Sequence, residues 1–317
     1  MSSKTEDVDV EADEIMYCAS CGTAGVDNIK LKKCNACNLV RYCGVKCQRE
    51  HWRQHKGACK KRAAELRDEL LFRQPEHGDL GDCPICLLPL SHDFDKSSIQ
   101  SCCYKLICNG CAYASLLHED EGSLEDLCPF CRQPYPESEE EIEKNVMRRI
   151  EANDPIAMRQ MGVKCYTLGD FRGSIEYLTK ATKLGDAEAH GQLANSYMIG
   201  QGVAVDVKKA FYHFEEAAIL GSVTARYVLG VIKESGSSGG KTERAVKHFI
   251  IGANLGCDKS LKCLKEAYAK GLVKKEDLAA ALRTHQAAVD ATKSPQRDAA
   301  ELAEKNEERT FRKKEFI

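Results

Sequence analysis

Nowhere in the 317 residues does an apolar run approach the roughly 18 residues that a membrane span needs, so no transmembrane helix is expected. The first fifteen residues, MSSKTEDVDVEADEI, have no apolar core of a secretion signal; polar and acidic, they read as a disordered tail. Neither sign of charge dominates: 46 Lys and Arg face 48 Asp and Glu, for a net charge of -2. Without a basic field, nucleic acid is not expected as a partner. Tryptophan is nearly absent, Trp52 being the single one.

Cysteine, by contrast, is abundant. There are 18, of which fifteen fall between Cys18 and Cys131, leaving Cys165, Cys257 and Cys263 outside. With no secretion signal the expected location is cytoplasmic or nuclear, where thiols stay reduced and paired cysteines bind metal rather than each other. The Cys18–Cys59 spacing is C-x₂-C-x₁₂-C-x₂-C-x₅-C-x₃-C-x₇-H-x₃-C, giving Cys18, Cys21, Cys34, Cys37, Cys43, Cys47, His55 and Cys59 as eight candidate zinc ligands. His55 and Cys59 stand one helical turn apart, so one face of a helix can present both to a single ion. A second block, C-x₂-C-x₁₅-C-C-x₄-C-x₂-C-x₁₆-C-x₂-C, supplies Cys83, Cys86, Cys102, Cys103, Cys108, Cys111, Cys128 and Cys131. Sixteen ligands make four tetrahedral sites, so four structural Zn²⁺ ions are the expected cofactors.

The first block resembles the MYND zinc finger through Tyr42-Cys43, Cys47-Gln48, Trp52 and His55-Lys56 followed by Cys59. The resemblance implies interleaved sites: Cys18, Cys21, Cys43 and Cys47 on one ion, Cys34, Cys37, His55 and Cys59 on the other. It also implies a protein-interaction module in which Gln48 and Trp52 line a groove for short proline-rich peptides. The plainer alternative is that Trp52 caps a very small core, and His51 reads as a surface residue. The second block opens with DCPICLLPL and closes with LCPFCRQPYP, and it resembles a RING domain or a related C4C4 cross-brace finger. That implies Cys83, Cys86, Cys108 and Cys111 on one ion and Cys102, Cys103, Cys128 and Cys131 on the other. The departure is at the middle ligands, where Lys105 stands in the position of the RING histidine. The tandem Cys102-Cys103 can repair this; alternatively one of the two is a bystander and His92 or His118 fills the vacancy. The same resemblance assigns Ile85, Pro129 and Arg132 to the surface that recruits a ubiquitin-charged E2 enzyme. No Cys–His dyad remains for covalent catalysis once the ligands are assigned.

Between the blocks, KKRAAELRDELL suggests a helix, and the KKR at 60–62 reads as part of a solvated face. After the second block, Ser138 and the glutamates that follow suit a helix N-terminus. Beyond Asp154 the chain aligns on itself: Ala157, Ala189, Ala225 and Ser260 fall in register, then Met161, Leu193, Leu229 and Leu264, then Gly162, Ala194 and Gly230. A second register holds Ser174, Ala210 and Ala245, then Leu178, Phe214 and Phe249, and the units close at Gly185, Gly221 and Gly256. Periods of 32 to 36 residues with paired helices mean an α-solenoid. The block A-x₃-L-A-x₂-Y-x₂-G-x-G-V from Ala189 resembles the Sel1-like repeat, a relative of the tetratricopeptide repeat, and KKEDLAAALRTHQ reads as a degenerate capping unit. Cys165, Cys257 and Cys263 lie inside the helical pattern and read as buried structural cysteines. The stretch SGSSGGK at 235–241 lacks a preceding strand and the phosphate-loop spacing, which excludes nucleotide binding.

The expected fold is multidomain: two small cross-brace zinc fingers followed by an all-α Sel1-like solenoid. The expected divisions are an acidic tail at 1–15, the MYND-like finger at 16–60, a helical linker at 61–80 and the RING-like finger at 81–136. A linker helix at 137–153, the solenoid at 154–292 and a charged tail at 293–317 follow. The function expected from the second finger is a RING-type E3 ubiquitin ligase, with an E2 enzyme as partner. Protein substrates or peptides would bind the solenoid and the first finger. The alternative is a non-enzymatic, zinc-dependent scaffold or MYND-type adaptor in transcriptional regulation.

Overall fold

The computed structural model describes residues 16–25, 30–119, 127–234 and 239–314. The acidic tail expected at 1–15 and residues 235–238 of the glycine-rich stretch lie outside them. The chain divides into two compact units, Met1–Leu71 and Phe72–Ile317.

In the first unit a two-stranded antiparallel sheet pairs β1 (Lys32–Lys33) with β2 (Arg41–Tyr42), and one long helix, α1 (Val45–Leu71), follows. Its buried cluster is Cys18, Cys34, Cys37, Tyr42 and Cys59, with Leu31 and Val40 packed against it. Four of those five residues are cysteines, so the unit has almost no apolar core of its own and depends on metal for its fold. The helix that presents His55 and Cys59 runs on without a break through the KKR segment. There Arg62 pairs with Glu65 and Glu69 on an exposed face.

The second unit begins with an irregular segment of turns and bends. Phe72 packs on the buried His248 ring at 4.9 Å and lies under the Arg244 guanidinium, and Gln74 accepts a hydrogen bond from Asn254 at 3.0 Å. The second finger follows. Its hairpin of β3 (Ser97–Ile99) and β4 (Leu106–Cys108) leads into α2 (Asn109–Glu119). Next come α3 (Glu139–Glu151), α4 (Pro155–Thr167), α5 (Phe171–Lys183), α6 (Ala187–Ile199) and α7 (Val207–Ile219). The series ends with α8 (Val223–Glu234), α9 (Gly239–Asn254), α10 (Asp258–Ala269), α11 (Lys275–Ala291) and α12 (Pro295–Lys314).

From α3 to α11 each helix packs on the next, which is the solenoid. Its registers have a steric cause. Ala157, Ala189, Ala225 and Ser260 are all 2% exposed or less, as are Ser174, Ala210 and Ala245, because paired helices cross there with no room for a larger side chain. At Gly162 and Gly230 an added Cβ would meet Leu178 at 3.0 Å and Phe249 at 2.4 Å, so the large residue of one helix fills the gap left by the glycine of the other. Aspartates start the helices: Asp154, Asp170, Asp186 and Asp206 each accept a backbone N–H in the first turn of α4 to α7. Gly185, Gly221 and Gly256 end the repeats at φ of 84°, 97° and 90°, a left-handed conformation that suits glycine. Cys165, Cys257 and Cys263 are half-buried rather than buried, and Cys257 caps α10, its sulfur accepting from the Ser260 N–H at 3.4 Å.

Finger and solenoid share a core. Tyr104 and Ile99 of the finger pack with Ile142 and Val146 of α3 and Ala157 and Met161 of α4. At the other end of the solenoid α12 packs along α2.

Candidate metal centres

All sixteen expected ligands assemble into four groups. They are Cys18, Cys21, Cys43 and Cys47; Cys34, Cys37, His55 and Cys59; Cys83, Cys86, Cys108 and Cys111; and Cys102, Cys103, Cys128 and Cys131. Within each group the ligand atoms lie within 4.8 Å of one another. The edge of a tetrahedron with Zn–S bonds of about 2.3 Å is roughly 3.8 Å. The observed S–S separations match it: 3.6 Å for Cys21–Cys43, 3.8 Å for Cys34–Cys59, Cys83–Cys111 and Cys86–Cys108, and 3.9 Å for Cys103–Cys128. These distances are nearly twice a disulfide bond, and all the cysteines are free. His55 offers Nε2, which lies 3.3 Å from Cys37 Sγ. The donor sets therefore fit four zinc ions, each site filled by protein, with no open position for a catalytic water.

The ligands are placed by one recurring turn. In each C-x₂-C pair from Cys18, Cys34, Cys83 and Cys128, the residue four after the first cysteine donates its N–H to that cysteine's carbonyl, at 2.8–2.9 Å. Those residues, Gly22, Asn38, Leu87 and Arg132, all have φ between 57° and 72°. The first cysteine's own N–H is bound by a carbonyl five or six residues on. The turn aims both sulfurs at one point.

The same turn explains the irregular step at Cys102-Cys103. Gln100 donates its N–H to Lys105 O at 2.9 Å, Tyr104 donates to Gln100 O at 2.7 Å, and Tyr104 has φ of 57°. Gln100 thus occupies the first-cysteine position of a fifth turn, Cys103 the second ligand position, and Cys102 supplies the missing sulfur from the residue between. Gln100 is 5% exposed; its side-chain oxygen accepts from the Tyr135 hydroxyl and lies 4.0 Å from Cys128 Sγ. Glutamine is not a zinc ligand, so a ligand pattern does not include it; the Q-x₂-C spacing is the signal in the sequence. His92 stands apart from every ligand group, against Gly78 and 3.8 Å from Asp79, and the side chain of His118 lies outside the described residues. Lys105 is exposed.

His51, expected at the surface, has structural partners instead. It is half-buried, accepts or donates a 3.1 Å hydrogen bond with Tyr42 and stacks on His55 with ring centroids 5.7 Å apart. It steadies a ligand ring, and its spacing of four from His55 was legible. Gln48 and Trp52, also four apart, share a face of α1; Trp52 is 42% exposed and meets His55 only edge-on, so it does not cap the core.

In the second finger, Ile85 and Leu87 project from the first turn at 39% and 72% exposure, and Arg132 is exposed on the last. Pro129 lines a cleft of about 160 Å³ with Ala112, Ser115, Leu116 and Tyr135; Ile85 and Arg132 do not reach it. Without metal, burial pushes the Cys103 thiol up to about 11, and Cys102 and Cys111 higher still. At Cys86, burial is outweighed by the Leu88 N–H and the Arg297 guanidinium, and the thiol falls to about 7.

Comparison with known proteins covers the first finger and the solenoid, and no family match falls on the second finger. Residues 18–59 match the MYND finger family, and residues 155–186, 187–222 and 223–257 match the Sel1 repeat. Over 44 residues the chain is 46% identical to SET domain-containing protein 14 of Caenorhabditis elegans, covering 14% of this chain and 10% of that protein. Over 30 residues it is 53% identical to the histone-lysine N-methyltransferase ASHR1 of Arabidopsis thaliana, covering 10% of this chain and 6% of that protein. The matches thus span a tenth or less of these relatives. Among solved structures, a Sel1 repeat protein from Oxalobacter formigenes aligns at 26% identity, 48% of this chain, 66% of that chain and a TM-score of 0.40. A protective antigen of uropathogenic Escherichia coli with an SLR fold aligns at 23%, 48%, 34% and 0.40. No helix among the described residues is long and apolar enough to cross a membrane.

Proposed function

We propose that this chain is a zinc-dependent protein-interaction adaptor, in which two metal-stabilised fingers and a helical-repeat solenoid hold partner proteins. The observation that carries this reading is the closure of all four metal groups. Each is complete in protein ligands, so the metal builds surface rather than chemistry. The names of these two relatives give no activity to this chain, since so little of those proteins is matched. On the first finger the surface offered is the Gln48–Trp52 face of α1, and its ligand would be a short proline-rich peptide, whose rigid extended form stacks on an exposed aromatic. Because Trp52 is the only tryptophan, its fluorescence reports this site alone. Titration with proline-rich peptides is expected to shift the emission saturably, and Gln48→Ala is expected to weaken the response with zinc content unchanged. A panel of such peptides that leaves the emission flat would overturn the peptide assignment.

A second reading has its own observation. The first turn of the second finger exposes Ile85 and Leu87, and Leu87 is held at φ of 58°, which a leucine adopts only at a cost. Such an exposed apolar tip suits recruitment of an E2 enzyme, with Pro129 as a further contact and Arg132 orienting the conjugate. On this reading the chain is a RING-type E3 ligase. Autoubiquitination over a panel of E2 enzymes separates the two: chains that vanish with Ile85→Ala establish the ligase, and no chains with any E2 leave the adaptor.

A further inference from the structure

A half-buried arginine from the C-terminal helix reaches back more than 200 residues to one metal centre. Arg297 Nη1 donates to Pro89 O at 2.6 Å and to Thr292 O at 2.7 Å. Its Nη2 donates to Leu88 O at 3.1 Å and lies 3.4 Å from Cys86 Sγ. The three partners in the finger are the ligand Cys86, the Leu88 carbonyl that also accepts the Cys83 N–H, and the Pro89 carbonyl next to it. The backbone of α12 is equally close: a Cβ added at Gly110, between the ligands Cys108 and Cys111, would stand 2.9 Å from both Cα and N of Arg297. The glycine lets the helix terminus seat against the metal centre.

Two physical effects follow from this geometry. Four thiolates around Zn²⁺ carry a net charge of about −2, and a guanidinium donating to one of them offsets part of it in a partly buried setting. The fork also ties down a turn whose Leu87 is held in a left-handed conformation, so it keeps Cys83 and Cys86 converged.

We propose that Arg297 is a positioning residue for the ion held by Cys83, Cys86, Cys108 and Cys111, making retention of that one ion conditional on the docking of α12. A partner that draws α12 away, or cleavage before Pro295, then loosens this site and the turn that carries Ile85 and Leu87. The proposal stands whether or not that turn receives an E2 enzyme.

The test uses the full chain loaded with four ions, in wild-type, Arg297→Ala and Gly110→Ala forms. The second variant lifts α12 by pressing a methyl against the backbone of Arg297, and it leaves the guanidinium and every ligand unmutated. Transfer of zinc to a colorimetric chelator gives release rates, and ¹¹³Cd substitution gives a resonance for each site. Expected is release of one ion in four about 10–100-fold faster, with one all-cysteine resonance shifted or lost and the other three ions unchanged. Four wild-type release rates and four unshifted resonances in Arg297→Ala would overturn the proposal, and so would uniform acceleration at all four sites. If Arg297→Ala loses its helical circular dichroism, Gly110→Ala decides by the same two readouts.

Discussion

Gly202 shows how much a single residue can settle. Its φ is 72°, and an added Cβ would stand 2.5 Å from the carbonyl oxygen of Phe171, backbone that belongs to the preceding repeat. Gly202→Ala is expected to cost roughly 2–3 kcal/mol, read as a lower urea midpoint. Gly191→Ala, in the open middle of α6, is expected to be neutral or to stabilise by up to about 1 kcal/mol. Asp79 offers a pH-dependent case. Burial, with Glu188 and Asp186 nearby, raises its carboxyl to about 6. The folded state therefore binds the proton more tightly than the unfolded chain. The contribution of Asp79 is fully present below pH 4 and is lost as pH rises through 6. Asp79→Asn is thus expected to raise the melting temperature at pH 8 and to gain less at pH 5; equal gains at both would contradict this. At this scale the sequence was uneven as a guide. Gly202 was visible only as the second glycine of the Sel1-like block from Ala189, and the alanine registers were visible because a close helix approach repeats at a fixed period. Gln100 was not, because its role depends on a backbone turn that only the coordinates display.

At the scale of elements, α1 joins what the sequence divided. The ligand helix and the charged helix after Cys59 are one 27-residue helix, since nothing between Cys59 and Leu71 breaks the pattern. That continuity makes Gln48 and Trp52 neighbours on a rigid surface, so Trp52→Ala is expected to abolish peptide capture without loss of zinc. Equal capture by Trp52→Ala and wild type would move the ligand elsewhere. The solenoid helices and their aspartate caps were legible as local signals. The irregular segment from Phe72 and the docking of α12 were not. Their contacts join residues far apart in the sequence, such as Gln74 with Asn254 and Arg297 with Pro89, and no local pattern announces them.

Across the whole molecule the metal carries different weight in the two units. The buried cluster of the first is mostly ligands, whereas the solenoid is cored by Leu178, Leu193, Phe249 and Leu264, which owe nothing to zinc. Chelation is therefore expected to erase peptide binding while most helical circular dichroism survives. The raised thiols Cys102, Cys103 and Cys111 are protonated at neutral pH without metal, so zinc binding must displace protons and affinity falls as pH falls. Zinc titrations at pH 6.5 and 7.5 check the sign. The most direct test of the account is the mass of the intact chain under native conditions. Four zinc ions per chain, with every cysteine still reduced once the metal is stripped, is the result expected. Two ions, or a mass deficit from disulfides in the freshly isolated protein, would contradict it.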